Sequence, residues 1–160
     1  MQEFEAEFIG SYASANNKPS EVESKKMIFK HHLIPAFGHR RLDEIDARAI
    51  EHYKADKLSE KRPKKPMRGG HRKNEVGLIP KTINNHLTVL SKMLSLAVEW
   101  EIIDHAPRIK WLKGPDPEFD FLTFHEADRL RQGADEGLWR TMITTALKTG
   151  LRHGELLALR

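Results

Sequence analysis

Eight of the 27 Lys and Arg residues fall within residues 61–81, KRPKKPMRGGHRKNEVGLIPK, against a single Glu. Cations at that density suit a polyanion, because each phosphate neutralised releases a condensed counterion. The segment carries a net +7, while the rest of the chain sets 19 Lys and Arg against 22 acids and carries −3. The overall +4 therefore comes from one stretch. A solvated basic loop has the same composition, so charge alone leaves nucleic acid and solvent open as its partners.

Other chemistries are poorly served. Nine His residues invite a metal, yet His31 and His32 are adjacent and point to different faces of a helix, and His153-Gly154-Glu155 has no second His. No metal site is expected. The absence of Cys removes thiolate catalysis, disulfides and Cys-ligated zinc. No G-x-x-x-x-G-K-[ST], G-x-S-x-G or G-x-G-x-x-G run occurs, and Gly69-Gly70 lies in the basic stretch without a flanking strand. No cofactor is expected, and ordinary motifs supply no complete active site.

The elements that would position these residues read as helical throughout. Phe4, Phe8, Ile9 and Tyr12 recur at helical spacing until ANNKPS breaks the pattern. Ser20 with Glu23 reads as a capping box opening a second helix, whose Val22, Met27, Phe29 and Leu33 face a core and which Pro35 and Gly38 end. Asp46 caps a third helix with Ile50, Tyr53 and Leu58 as its buried positions. Pro63, Pro66 and Gly69-Gly70 then deny the basic segment regular structure. From Lys81 a long helix resumes, with Ile83, Leu87, Leu90, Leu94 and Ala97 on one stripe. Its opposite face carries Lys81, Asn85, Thr88 and Lys92, side chains that reach phosphates and base edges and that also furnish ordinary solvated faces. The basic segment just upstream favours DNA.

Pro107, Pro115 and Pro117 mark a linker without helical period. Thr123 and Glu126 form a second capping box, and LWRTMITTALKTG is an apolar helix ended by Gly150. The 160 residues allow one domain, or a small domain with part of another. With 39% hydrophobic and 31% charged residues the chain is globular in character. MQEFEAEFIG has neither the basic start nor the apolar core of a secretory signal, and no run approaches the roughly 18 apolar residues of a membrane span, so a cytoplasmic location is expected and no membrane partner.

The stretch TGLRHGELLAL resembles the first arginine motif of the tyrosine recombinases, the phage-integrase family, T-G-x-R-x-x-E-L-x-x-L, at Thr149, Gly150, Arg152, Glu155, Leu156 and Leu159. FLTFHEADRL resembles the opening of that family's catalytic domain, and HHLIPAFGHRRLDEI with TINNHLTVLSKMLSLAVEW resembles its core-binding domain. The resemblance implies an all-α chain: a compact four-helix SAM-like core-binding domain over 1–105, a linker over 106–120, and an N-terminal fragment of the catalytic domain over 121–160. It also implies cutting and rejoining of DNA through a 3′-phosphotyrosyl intermediate, without metal or cofactor.

By that resemblance Arg152 serves the scissile phosphate, a role suited to a guanidinium's paired donors, and Glu155 supports it. Glu155 also reads as a first-turn acid favoured by the helix dipole. Double-stranded DNA is the expected partner. Lys64, Lys65, Arg68, Arg72 and Lys73 would meet phosphates, Lys81, Thr82, Asn85, Thr88 and Lys92 would lie in or beside the major groove, and Lys26 and Lys30 are outer candidates. Thr82 reads equally as a helix-starting residue. The family's second Arg, hairpin Lys, further His or Trp and nucleophilic Tyr all follow the first motif in chain order, and Tyr12 and Tyr53 are expected as core aromatics. The chain is thus expected to bind DNA, to be a monomer in solution and to be inactive alone, its parent acting as a tetramer on DNA. A stand-alone DNA-binding module and a helical protein-interaction domain are the alternatives.

Overall fold

The computed structural model describes residues 1–60, 77–115 and 120–159. The expected phosphate contacts Lys64, Lys65, Arg68, Arg72 and Lys73 lie outside them. The described secondary structure is entirely helical. The chain divides into two units, Met1–Pro115 and Asp116–Arg160.

In the first unit, helix α1 is α-helical over Gln2–Glu7 and Ser14–Asn16 and π-helical between them, over Phe8–Ala13. Phe8 and Ala13 are five residues apart and both fully buried. An α-helix would turn them about 140° apart, whereas the i→i+5 turn of a π segment returns them to one face. Helix α2 repeats the device, with α-helix over Pro19–Ile28 and Ile34–Phe37 and a π segment over Phe29–Leu33. Phe8 meets Phe29 edge-on at 5.8 Å between ring centroids.

Several local expectations for α2 give way here. Lys18 is the N-cap residue and Pro19 starts the helix with its fixed φ, so Ser20 lies inside it and forms no capping box with Glu23. Met27 is 48% exposed, because five residues beyond Val22 is about 140° around the helix. The helix also runs through Pro35 to Phe37. The proline falls where i→i+5 bonding gives way to i→i+4, a junction that tolerates its missing N–H.

Helix α3, Ala47–Ser59, begins as expected: the Asp46 carboxylate accepts from the Ala49 N–H at 2.7 Å. Ile50 and Tyr53 are buried, but Leu58 is 39% exposed, since it lies about 140° from Tyr53. Helix α4, Pro80–Glu99, starts one residue before Lys81 with Pro80 in its first turn. Its buried side is broader than the expected stripe and adds His86, Val89, Met93 and Leu96 to Ile83, Leu87, Leu90, Leu94 and Ala97. Each such Leu, Ile or Met stabilises by about 1.5–3 kcal/mol relative to exposure. At its C-terminal end Trp100 meets Phe4 edge-on at 5.7 Å, which ties α4 to α1.

One polar cluster is built into this core. The Tyr53 hydroxyl and His86 Nδ1 are 2.8 Å apart, and the His86 ring stacks on His32 with centroids 4.1 Å apart. The cluster joins α2, α3 and α4 and satisfies groups that would be costly to bury alone. Burial, aided by Glu60, pushes the Tyr53 phenol well above its ordinary value near 10.

The segment after α4 is not helical, yet residues 106–115 of the expected linker fall within the first unit. Lys54 Nζ donates to the Lys110 carbonyl at 2.8 Å, and Asn84 pairs with the backbone of Leu112. The ends of the basic segment are also joined, by Gly77 N–H to Glu60 O at 2.9 Å and Leu78 N–H to Lys57 O at 2.8 Å. Gly77 has φ +85°, and a Cβ there would fall 1.8 Å from the Leu58 carbonyl oxygen.

The second unit holds helices α5, Phe124–Gly133, α6, Leu138–Thr149, and α7, His153–Leu157. The Thr123–Glu126 capping box forms in both directions, and Gly150 ends α6 in the left-handed conformation at φ 68°. None of the described residues of this unit is buried.

Gly77→Ala is expected to destabilise the first unit by at least about 2 kcal/mol in urea unfolding. By contrast Gly10, with open space around it, should accept Ala with a gain of about 0.5–1 kcal/mol. Equal effects from the two changes would contradict the close approach at Gly77. For Tyr53, a folded-state pKa raised above the unfolded one gives stability that is present below pH 10 and lost as pH rises beyond it. Tyr53→Phe should therefore lower neutral-pH stability by about 1 kcal/mol and flatten the alkaline decline above pH 10. Identical alkaline curves for both proteins would locate that titration elsewhere.

Candidate nucleic-acid interface

Because one side of α4 is sunk in the core, the residues opposite it are held in solvent along a straight element. Lys81, Asn85, Thr88 and Lys92 are all exposed, and at 100° per residue they fall within an arc of about 60°. Thr82 does not join them: it is half-buried, about 100° around from Lys81, and its N–H bonds to the Ile79 carbonyl at 3.0 Å in the first turn. The helix-starting role is the one this geometry fits.

Thr88 Oγ1 donates to the Asn84 carbonyl at 3.0 Å, leaving its oxygen as an acceptor towards solvent. Lys92 Nζ sits 4.8 Å from the centroid of the Tyr12 ring, a cation–π contact that restrains an otherwise free lysine. Tyr12 is in turn half-buried and stacked on Phe8 at 5.7 Å. The four stripe residues therefore present two cations, an amide and a hydroxyl in one row. Such a row can meet a phosphate backbone at its cations and base edges at its amide.

Lys26 and Lys30, on α2, are exposed. Lys26 Nζ is 3.9 Å from Glu23, a loose surface pair of little energetic weight. Neighbouring Lys25 is engaged by Glu21 at 2.8 Å and by Asn17.

In the second unit the left-handed turn at Gly150 reverses the chain after α6 and delivers Arg152 to the start of α7, where it is the N-cap residue with extended backbone. Its side chain is 87% exposed. Glu155 Oε2 accepts from the Arg152 backbone N–H at 2.9 Å, and Oε1 lies 3.4 Å from Nη1. One carboxylate thus braces the helix start and steadies the guanidinium, so its helix-capping and arginine-supporting readings are compatible. A shallow hollow between α5 and α6, lined by Glu126, Arg129, Leu130, Gly133, Ala134 and Ile143, does not include Arg152.

The tyrosines take other roles. Tyr53 is 3% exposed with its hydroxyl bonded to His86, and Tyr12 is engaged by Phe8 and Lys92. Asn84, Lys54 and His86 carry structural roles that their residue types alone do not announce. His86 was legible in principle, since it falls on the apolar stripe between Ile83 and Leu90. Asn84 is indistinguishable by type from Asn85, and the burial of Lys54 depends on a carbonyl 56 positions away.

Among the described residues no group of three or more His, Asp or Glu could hold a metal ion, and no helix is long and apolar enough to cross a membrane. Residues 2–58, which span α1 to α3, match the family described as phage integrase, N-terminal SAM-like domain. The chain is 28% identical over 149 residues to the ICEBs1 integrase of Bacillus subtilis (strain 168), an alignment that covers 91% of this chain and 36% of that protein. The chain therefore spans about a third of the length of this relative. No solved structure gives a significant match. The helical elements of the first unit, the matched SAM-like domain and the integrase relative make the chain similar to the tyrosine recombinase, or phage integrase, family.

Proposed function

We propose that this chain is the DNA-gripping portion of a site-specific tyrosine recombinase, with the opening segment of its catalytic domain attached. Its similarity to phage integrases supports a protein related to site-specific recombinases. The observation that carries the finer reading is the exposed row Lys81, Asn85, Thr88 and Lys92 on a helix whose other side is locked in the core, its first cation closing a segment, residues 61–81, of net charge +7. Duplex DNA is the partner. The cations of residues 61–81, Lys64, Lys65, Arg68, Arg72 and Lys73 among them, meet phosphates, and Asn85 has the donor and acceptor pair suited to adenine.

In this reading Arg152 binds the scissile phosphate. Its exposed guanidinium, steadied by Glu155, offers paired donors to two phosphoryl oxygens and stabilises the charge that builds as a tyrosine attacks. Neither Tyr12 nor Tyr53 is that nucleophile, which supports assigning cleavage to a longer parent protein acting as a tetramer on DNA, with this chain a monomer in solution. Phe121, Phe124, Leu138 and Trp139 are all more than half exposed. Such a set of uncovered apolar residues suits one part of a larger catalytic domain.

Anisotropy titration of a labelled duplex across a salt series tests the reading. Affinity should fall by about 0.9 log units per log unit of salt for each phosphate contact, and Lys81→Gln with Lys92→Gln should reduce the slope by about two contacts. Asn85→Ala should leave the slope alone and cost about 1–3 kcal/mol on the preferred site only. On a nicked suicide duplex this chain should trap no covalent adduct. An unchanged salt slope in the double variant would remove α4 from the interface, and an adduct would overturn the assignment of the nucleophile to a longer parent.

A further inference from the structure

Several cations of the first unit are held by acids close by in the chain. Glu21 and Asn17 engage Lys25, Asp43 engages Arg41, and Glu60 engages Lys57. Residues 104–115, which form no helix, differ: they set Arg108, Lys110 and Lys113 against Asp104 alone. All three cations are exposed, and among the described residues no carboxylate pairs with any of them. Cations without local acids keep their field for a partner's anions. Trp111 stands between Lys110 and Lys113 and is 53% exposed, and exposed Trp is enriched at contact surfaces.

The backbone beneath these side chains is fixed. Lys54 of α3, only 4% exposed, donates to the Lys110 carbonyl at 2.8 Å. Asn84 of α4 donates through Nδ2 to the Leu112 carbonyl at 2.9 Å and accepts at Oδ1 from the Leu112 N–H at 3.0 Å. One side chain thus satisfies both backbone groups of one residue, so a slip by a single residue breaks two bonds at once. Ile109 and Leu112 pack against the core, while Arg108, Lys110, Trp111 and Lys113 stay in solvent. The ordering that a free segment would undergo on binding has already taken place in folding.

The anchor also sets where the cations lie. Asn84 is about 40° around α4 from Thr88 and about 60° from Lys81. The segment pinned to it therefore runs along the edge of the exposed row of α4, and both belong to the first unit.

We propose that Arg108, Lys110 and Lys113 form a second row of phosphate-binding cations beside the α4 row, with Asn84 as the residue that positions it. The partner is the duplex of the proposed function, on which this inference rests. Asn84 and Asn85 then divide the work: Asn85 faces the bases, and Asn84 faces away from DNA and holds the chain that grips the backbone.

Anisotropy titration of a labelled duplex by the whole chain across a salt series tests this. Lys110→Gln with Lys113→Gln should lower the salt slope by about 1.8 log units per log unit of salt, the loss of two phosphate contacts. Both side chains are exposed and the Lys110 carbonyl that Lys54 uses is retained, so this pair decides the proposal even if Asn84→Ala loses helical circular dichroism. Asn84→Ala removes no charge, yet it should lower the slope by as much as the same two contacts. Added to the pair, it should lower the slope no further. An unchanged slope in the Lys110 and Lys113 variant, where Lys81→Gln with Lys92→Gln does lower it, overturns the second row and leaves the α4 reading standing. An unchanged slope in folded Asn84→Ala, or a further fall when it joins the pair, overturns its positioning role. A chain that binds no duplex at all overturns the functional reading and the second row with it.

Discussion

Helix α4 has one side that water does not reach, and the first unit is organised around that side. Nine of its twenty residues are buried, and α1, α2 and α3 supply the surfaces that cover them. Once the apolar side is committed, the polar side has no freedom to turn inwards, because rotating the helix would expose Leu87, Leu90 and Met93 together. The row of Lys81, Asn85, Thr88 and Lys92 is thus rigid as a consequence of core packing. Rigidity of that kind suits recognition, since the side chains that meet a partner start from a fixed backbone.

Polar groups inside the unit work to the same end. Tyr53, His86 and His32 give α2, α3 and α4 a common set of directional contacts, where apolar side chains alone would tolerate small slips between helices. The two π segments serve the packing differently, by returning residues five apart to one face. Lys54 and Asn84 then extend the ordered unit along the chain that follows α4. Local rules of the second unit are equally well kept, in the Thr123–Glu126 cap and the left-handed Gly150, although its described residues bury no apolar face.

What was legible in the sequence was what short range decides. Asp46, the Thr123–Glu126 pair and Gly150 act within three or four residues of themselves, and each does what its type and position imply. The α4 stripe was legible because a long, regular helix keeps its phase. The errors arose where phase is lost or where the partner is remote. Approximate spacing points Met27 and Leu58 to the core, the stronger start at Pro19 displaces Ser20, and a π segment lets the helix continue through Pro35. Asn84 and Asn85 differ by about 100° of rotation and so by everything in role, and no rule of composition separates them. Of residues 61–81 the described part is 77–81, which holds the exposed Lys81 and is tied to α3 by Gly77 N–H to the Glu60 carbonyl and Leu78 N–H to the Lys57 carbonyl.

The central claim is that the solvent side of α4 is the surface that meets DNA. Amide spectra of the uniformly labelled chain, recorded by nuclear magnetic resonance during titration with a short duplex, test it most directly. The account predicts shifts concentrated in residues 81–92 on the exposed positions, with the amides of α1 beyond Tyr12 little changed. Shifts confined to α1, or spread evenly over the first unit, would contradict it.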